Sequence, residues 1–155
     1  LRIAGYQDAL RAYGLPYNPE LVVTGDFAHT GGEAGAAYFL SLADPPTAIF
    51  ACNDQMAFGT VRTLRRHGLC VPEDISVIGF DDIRLAQFVL PALTTVQMSQ
   101  AELARLAFNA LLAELQRTSP SPTGTEYVLQ THLVLRESTR LVAGQIKAPA
   151  VKKRS

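Results

Sequence analysis

Two apolar runs that each end in a polar pair constrain the fold of this chain most. They are PTAIFACND, residues 46–54, and EDISVIGFDD, residues 73–82. Each run is short, apolar on both faces and followed by a helical pattern, as in a parallel sheet that helices cover. This alternation predicts an α/β fold with right-handed crossovers. Ligands bind beyond the carboxyl ends of such strands, so Asn53 and Asp81 indicate a small-molecule site.

The composition excludes several other classes of protein. The 155 residues are 48% apolar, which suits one domain with its own core and argues against a disordered chain. Basic and acidic residues number 14 each, so there is no basic stripe of the kind that nucleic-acid surfaces carry. No stretch approaches the roughly 18 apolar residues of a membrane span. Cys52 and Cys70 lack metal-ligand spacing, so we expect no metal site and a reducing compartment.

Periodicity and stop signals predict the remaining elements. Thr30 is a candidate N-cap, and Ser99 with Glu102 forms a candidate capping box. Beyond Leu141 the pattern is lost, and residues 142–155 are predicted to be a disordered tail. Predicted helices cover residues 2–13, 33–42, 54–67, 83–88 and 98–117, and predicted strands cover residues 20–24, 47–51, 75–80, 94–98, 126–129 and 132–136.

Five motifs in register carry a family resemblance. They are R-x-A-G-Y-x-x-A-L from Arg2 to Leu10, then ACNDQMAFG, VPEDISVIGFDD, PALTTVQMS and LVLRESTR. Their order and spacing resemble the effector-binding domain of the lactose-repressor (LacI/GalR) family of bacterial transcription regulators. The resemblance covers residues 1–141, nearly the whole chain.

The resemblance implies a truncated, three-layer, parallel-sheet lobe of the periplasmic-binding-protein-like type I fold. Residues 1–141 would form a partial effector domain, mostly its second lobe. The helix at 98–117 would pack on a first lobe that lies largely outside this sequence. Since the chain starts with Leu1 inside a helical pattern, we expect it to be a fragment. Half of the cleft would then be absent, so we expect the isolated chain to bind effector weakly or not at all.

At the two strand ends, the resemblance implies ligand contacts for Asp81 and Asn53. An ionised carboxylate at Asp81 accepts hydrogen bonds from ligand hydroxyls, although Asp81 or Asp82 could instead cap the next helix. The amide of Asn53 both donates and accepts, which suits a polyol, and the alternative is an N-cap for the following helix.

Three further ligand-binding residues follow from matching the family's motifs. Arg2 offers a fork of donors, where a first-turn arginine would otherwise be a surface residue. Phe27 offers a ring face to a sugar or base, and the competing interpretation is a core position. Gln100 stands where some members present an aromatic residue. Its polarity indicates a different ligand contact or a plain surface position.

We expect a sensor of a sugar or nucleoside, with no cofactor and no catalytic residue, in the cytoplasm. Its DNA contact would come only from an N-terminal helix-turn-helix outside this sequence. A homodimer would form through apolar surfaces around Phe58, Phe88, Val89 and Leu90.

One alternative is a periplasmic sugar-binding protein of a transport system, which the ending LVLRESTR disfavours. The other is an α/β hydrolase that uses Asp81 or Asp82, for which the sequence supplies no nucleophile or metal set.

Overall fold

The computed structural model of the protein describes residues 2–117 and 126–141. Its elements follow the predicted strand–helix alternation, with two short 3-10 turns at Pro19–Leu21 and Arg84–Gln87. No helix in the described ranges is long and apolar enough to cross a membrane. The predicted tail at 142–155 lies outside the described residues. In chain order the helices and strands are α1 (Arg2–Ala12), α2 (His29–Ser41), β1 (Ala48–Phe50), α3 (Asp54–Arg66), β2 (Ser76–Asp81), β3 (Thr94–Gln97), α4 (Gln100–Leu115) and β4 (His132–Val134).

One four-stranded sheet organises the described residues, in the order β1-β2-β3-β4. The first three strands are parallel, and β4 is antiparallel to β3. In the register, Phe50 pairs with Ile78, and Asp81 pairs with Gln97. The carboxyl ends of three parallel strands therefore meet at one edge of the sheet. The predicted α/β class is confirmed.

The core lies where α3 and the segment around Arg84–Gln87 cover the sheet. Its central side chains are Leu64 of α3, Val77 of β2 and Leu93 before β3, all at most 1% exposed. Burial of such side chains is the main favourable term in folding. Since α3 packs against the sheet along its length, its first residues are held at the carboxyl ends of the strands.

None of the residues of α4 is buried, as is also true of α1. The exposed apolar side chains of α4 form a candidate packing surface, since exposed apolar patches mark interaction sites. They are Leu103, Phe108, Leu111, Leu112 and Leu115. The expectation that the helix at 98–117 belongs to another lobe stays a prediction.

Two predicted strands are wrong. Over 20–24, a 3-10 turn at Pro19–Leu21 leads into Val22, which is extended but lies in no strand. Residues 21–25 and β1 line one cavity together, and among the described residues β1 pairs only with β2. Over 126–129, the antiparallel register would require partners beyond Gln97, and there α4 already begins.

The start of α2 is also different from the prediction. The helix begins at His29, so Thr30 lies inside it and is not its N-cap. The carboxylate of Asp26 takes the capping role instead. Its Oδ1 accepts from the amides of Ala28 at 2.9 Å and Gly31 at 3.0 Å, and its Oδ2 accepts from the Thr30 hydroxyl at 2.8 Å. These hydrogen bonds lower the pKa of Asp26 and fix the loop that carries Phe27.

Candidate functional site

Asn53 caps α3 at the carboxyl end of β1. Its Oδ1 accepts from the Met56 amide at 2.8 Å, and its Nδ2 donates to the Phe27 carbonyl at 2.8 Å. The capping interpretation of Asn53 is therefore confirmed. An amide group has two lone pairs and two N–H donors, so one of each stays available to a ligand. With 9% of its surface exposed, Asn53 is a largely buried anchor at the edge of the candidate site.

Phe27 stands beside Asn53 and is not a core residue. Its ring is 58% exposed, and its φ of 62° lies in the left-handed region that non-glycine residues seldom adopt. The hydrogen bond from Asn53 to its carbonyl holds this conformation from the inside. The loop thus presents an aromatic ring at the surface, next to the end of β1.

Arg2 and Asp81 come together at the end of β2. Arg2 Nη2 lies 4.0 Å from Asp81 Oδ1, and the Arg2 guanidinium carbon lies 4.1 Å from the ring centre of Phe80. The ring fixes the guanidinium through a cation–π contact. Burial raises the pKa of Asp81, and the charge of Arg2 opposes that rise. The end of β2 therefore presents an acceptor and a fork of donors side by side, both partly exposed.

Asp82 does not cap the helix that follows it. That helix is a 3-10 turn whose N-cap position is Ile83, with no side-chain cap. Asp82 instead binds Arg136 Nη2 at 2.6 Å through Oδ1 and Gln97 Nε2 at 2.8 Å through Oδ2. Both oxygens of Asp82 are occupied inside the chain, so Asp81 is the carboxylate that faces outward.

Gln100 is exposed and is the first residue of α4. It follows Gln97, the register partner of Asp81, by three residues. The register thus places it near the same edge of the sheet as the other four residues. No hydrogen bond from the side chain of Gln100 to another residue of the described ranges defines a role for it.

The cavity nearest this edge is not the predicted site. It measures about 340 Å³ and lies between β1 and the segment 21–25, with α1 and α2 around it. Arg2 and Phe27 line it, whereas Asn53 and Asp81 do not. Its walls are mainly apolar, so it offers few groups to a hydroxylated ligand.

A second depression of about 480 Å³ lies on the outer side of α3, lined by Phe58, Val61, Arg62, Arg65, Arg66, Val89, Leu90 and Leu93.

Sequence reasoning missed three residues that build the site. Phe80 supports Arg2 from below. Asp54 and Thr95 form a buried hydrogen bond of 2.6 Å that ties α3 to β3. The only signal for Asp54 was its place directly after Asn53, which also fits an ordinary helix start. The contact with Thr95 depends on strand register, which no local pattern reveals.

The fold is an open, mostly parallel sheet with helices around it and polar side chains at the carboxyl ends of its strands. The family model of the periplasmic binding protein-like domain matches residues 1–139. The HTH-type transcriptional repressor CytR of Escherichia coli K12 is 40% identical over 139 residues, which cover 90% of this chain and 40% of that protein. The ribose operon repressor of Haemophilus influenzae is 36% identical over 137 residues, covering 88% and 41%.

Solved structures agree with this assignment. A LacI-type regulator from Bifidobacterium animalis has a TM-score of 0.83 at 30% identity, covering 91% of this chain and 50% of its own. A LacI family regulator from Enterococcus faecium with bound ribose has a TM-score of 0.77 at 34% identity, covering 89% and 50%. The chain belongs to the LacI family of transcription regulators, within their periplasmic binding protein-like domain. It spans about two fifths of the length of these curated repressors.

Proposed function

We propose that this chain is the effector-sensing part of a DNA-binding LacI-family regulator and binds a sugar or a related hydroxylated molecule. The pairing of Arg2 with Asp81 at the end of β2 is the observation that carries the proposal. The relatives are transcriptional repressors, which supports a regulator over a transport protein and over an enzyme. The cytoplasmic location expected from the resemblance stays a prediction.

The chemistry of the strand ends suits a polyol. Asp81 accepts hydrogen bonds from two hydroxyl groups when it is ionised, and Arg2 donates to a third oxygen. The exposed ring of Phe27 offers an apolar face to the C–H side of a sugar ring. Two related structures, one with bound ribose and one in complex with cellobiose, hold ligands of this class.

The regulatory step would be a population shift between open and closed arrangements of two lobes. A ligand held between the lobes favours the closed state only by its differential affinity for the two states. The DNA-binding part would lie in the N-terminal region that the relatives carry beyond the matched segment. The exposed apolar face of α4 supports its assignment to the partner lobe.

Dimerisation is the remaining part of the proposal, and the outer face of α3 supports it. Phe58, Val61 and Val89 line an apolar depression there, and Leu90 at its rim is 72% exposed. Next to it, Phe88 is 65% exposed. Exposed apolar patches of this kind mark interaction surfaces on soluble domains. We propose that two copies of the regulator pack through this depression.

The test uses the full-length regulator, a thermal-shift screen of sugars and nucleosides, and calorimetry with D-ribose and cellobiose. In Asp81→Asn the best ligand should bind about 10- to 100-fold more weakly, because a charge-assisted hydrogen bond contributes about 1.5–3 kcal/mol. Asp8→Asn is the matched control, since Asp8 is an exposed carboxylate paired with Arg11 on α1. Equal affinities for both variants would contradict the proposed site.

A further inference from the structure

Asp54 is a buried carboxylate that the proposed ligand contacts do not use. It is the first residue of α3, directly after Asn53, and its exposed fraction is 0%. No other ionisable side chain in the described ranges is buried to this degree. Charged groups are seldom buried unless hydrogen bonds hold them, so the partners of Asp54 indicate what the position is for.

Its position and its two oxygens link three neighbouring strands. Oδ1 accepts from the Thr95 hydroxyl of β3 at 2.6 Å, and Oδ2 accepts from the Ile83 amide just after β2 at 2.8 Å. Asp54 itself follows β1. A side chain on Gly79 of β2 would collide with Oδ1, so glycine there leaves the carboxylate room against the strand. Packing and hydrogen bonding thus both place this carboxylate between the strands.

The backbone that Asp54 holds is in an unfavourable conformation. Asp81 has a φ of 107° and Asp82 a φ of 52°, values that L-residues rarely adopt. Such residues persist only where the surrounding structure determines them. Here the Ile83 amide donates to Asp54, and the Asp82 amide donates at 3.4 Å to the same Thr95 hydroxyl that binds Asp54. The turn is therefore held at two consecutive amides by one hydrogen-bonded pair.

We propose that Asp54 is a positioning residue: with Thr95 it fixes the Asp81–Asp82 turn, so that Asp81 projects beside Arg2 while Asn53 caps α3. The role rests on the proposed ligand function of Asp81, but the conformation of the turn can be tested without a ligand. Burial raises the pKa of Asp54, the hydrogen bonds from Thr95 and Ile83 oppose that rise, and the charges of Asp81 and Asp82 add to it.

The decisive comparison is between two substitutions of Thr95, whose exposed fraction is 0%. Thr95→Val keeps the shape of the side chain and removes the hydroxyl. Thr95→Ser keeps the hydroxyl and removes a methyl group. If Thr95 only fills space, Thr95→Ser should disturb the Asp81–Asp82 turn more, because it leaves a cavity. If Thr95 positions Asp54 and the turn, Thr95→Val should disturb the turn more.

Hydrogen–deuterium exchange of the full-length regulator, followed by mass spectrometry, tests the proposal. Exchange in a peptide covering residues 80–84 should be about tenfold faster in Thr95→Val and in Asp54→Asn, and within about twofold of wild type in Thr95→Ser. A peptide from α2 should keep its wild-type rate in all three. The proposal would be overturned if the 80–84 peptide exchanged faster in Thr95→Ser than in Thr95→Val. It would also be overturned if amide exchange accelerated equally in all peptides of the protein.

A calorimetric titration with D-ribose separates this proposal from the proposed function. If wild type binds ribose, its affinity should fall about tenfold in Thr95→Val and hold in Thr95→Ser, in parallel with exchange at the turn. Unchanged affinity in Thr95→Val would overturn the link between the turn and the ligand. If wild type does not bind ribose, that choice of ligand fails, and the exchange rates still decide whether Asp54 holds the turn.

Discussion

Asp81 and Asp82 are the same residue type, but their side chains have different hydrogen-bonding partners and therefore different roles. Asp82 has both oxygens engaged by Arg136 and Gln97, whereas Asp81, within the described ranges, has only Arg2 at 4.0 Å. The left-handed backbone at both positions turns their side chains to different partners. Asp82 therefore holds the sheet edge together, and Asp81 keeps acceptor capacity for a ligand.

Asp81 should make both the free energy of unfolding and the ligand affinity depend on pH. Burial raises its pKa above the ordinary value of 3.8, with Arg2 opposing the rise. The folded state therefore binds this proton more readily than the unfolded state. As the pH falls through the raised pKa towards 3.8, this group should increase the free energy of unfolding. Ligand affinity should fall across the same window, because the protonated group loses acceptor capacity.

Urea denaturation and calorimetry from pH 7 to pH 4 check this prediction, with Asp81→Asn as the reference. The difference between wild type and Asp81→Asn reports the titration of Asp81 together with its effect on Asp54, whose pKa is raised by burial and, in addition, by the charge of Asp81. Parallel pH curves for the two proteins would show that Asp81 does not titrate in this way.

At the residue scale, the sequence could predict the strand ends but not what supports them. Asn53 and Asp81 end apolar runs, so a local pattern placed both at one edge of the sheet. The stacking of Arg2 on Phe80 and the bond from Thr95 to Asp54 join residues far apart in the chain. Such contacts depend on register and on the path of α1, which local patterns do not determine.

At the element scale, the close approach of α2 and α3 depends on glycine. A side chain on Gly32 would collide with the Met56 carbonyl, and one on Gly59 would collide with the His29 carbonyl. Both obstacles are backbone atoms, which cannot rotate away. The two helices thus touch through their backbones, and this contact holds the Phe27 loop close to the start of α3.

Alanine substitutions test that contact. Gly32→Ala and Gly59→Ala should each lower the free energy of unfolding by about 1–3 kcal/mol, the usual effect of overpacking. Gly35→Ala is the matched control, because its added methyl group would meet no atom within 4 Å. It should be neutral or stabilising by up to about 1 kcal/mol, since alanine favours helix. Urea denaturation measures all three, and equal losses would contradict the prediction.

The pair of Asp82 with Arg136 joins the end of β2 to the segment after β4. The two side chains are 10% and 18% exposed, and Arg136 also donates to the Leu93 carbonyl at 2.8 Å. Arg136→Ala leaves a buried carboxylate without its partner, so we expect a loss of about 3–5 kcal/mol. Arg62→Ala should cost less than about 1 kcal/mol, because its pair with Glu33 is more exposed. Similar losses in urea denaturation would argue against this distinction.

Helices and parallel strands were predictable where a periodic pattern and a stop signal coincide, as in β1, α3 and β2. The strands expected at 20–24 and 126–129 failed for a common reason. A strand requires a neighbour at hydrogen-bonding distance. The first segment faces a cavity, and the register of the second leads into α4. Apolar composition alone does not supply a neighbour.

At the scale of the whole molecule, the described lobe leaves two apolar surfaces uncovered. The first is the α4 surface, which the resemblance predicts to pack on the other lobe, and that assignment stays a prediction. The depression on α3 lies on another element and is bordered by Arg62, Arg65 and Arg66. Because the two surfaces lie on different elements, α4 can contact the other lobe while α3 contacts a second copy, as the proposed function requires.

If the α3 depression contacts a second copy of the regulator, a charge placed in it should dissociate the dimer without unfolding the lobe. Leu90 is 72% exposed at its rim, so Leu90→Lys should leave the fold intact. A lysine buried in a dimer at this place has the like charges of Arg62, Arg65 and Arg66 around it, so the dissociation constant should rise about 100-fold or more. Leu15→Lys is the matched control, because Leu15 is 57% exposed and lies outside the depression. Sedimentation of the full-length regulator should give dimers for wild type and Leu15→Lys and monomers for Leu90→Lys. A Leu90→Lys protein that sediments as a dimer would place the interface elsewhere.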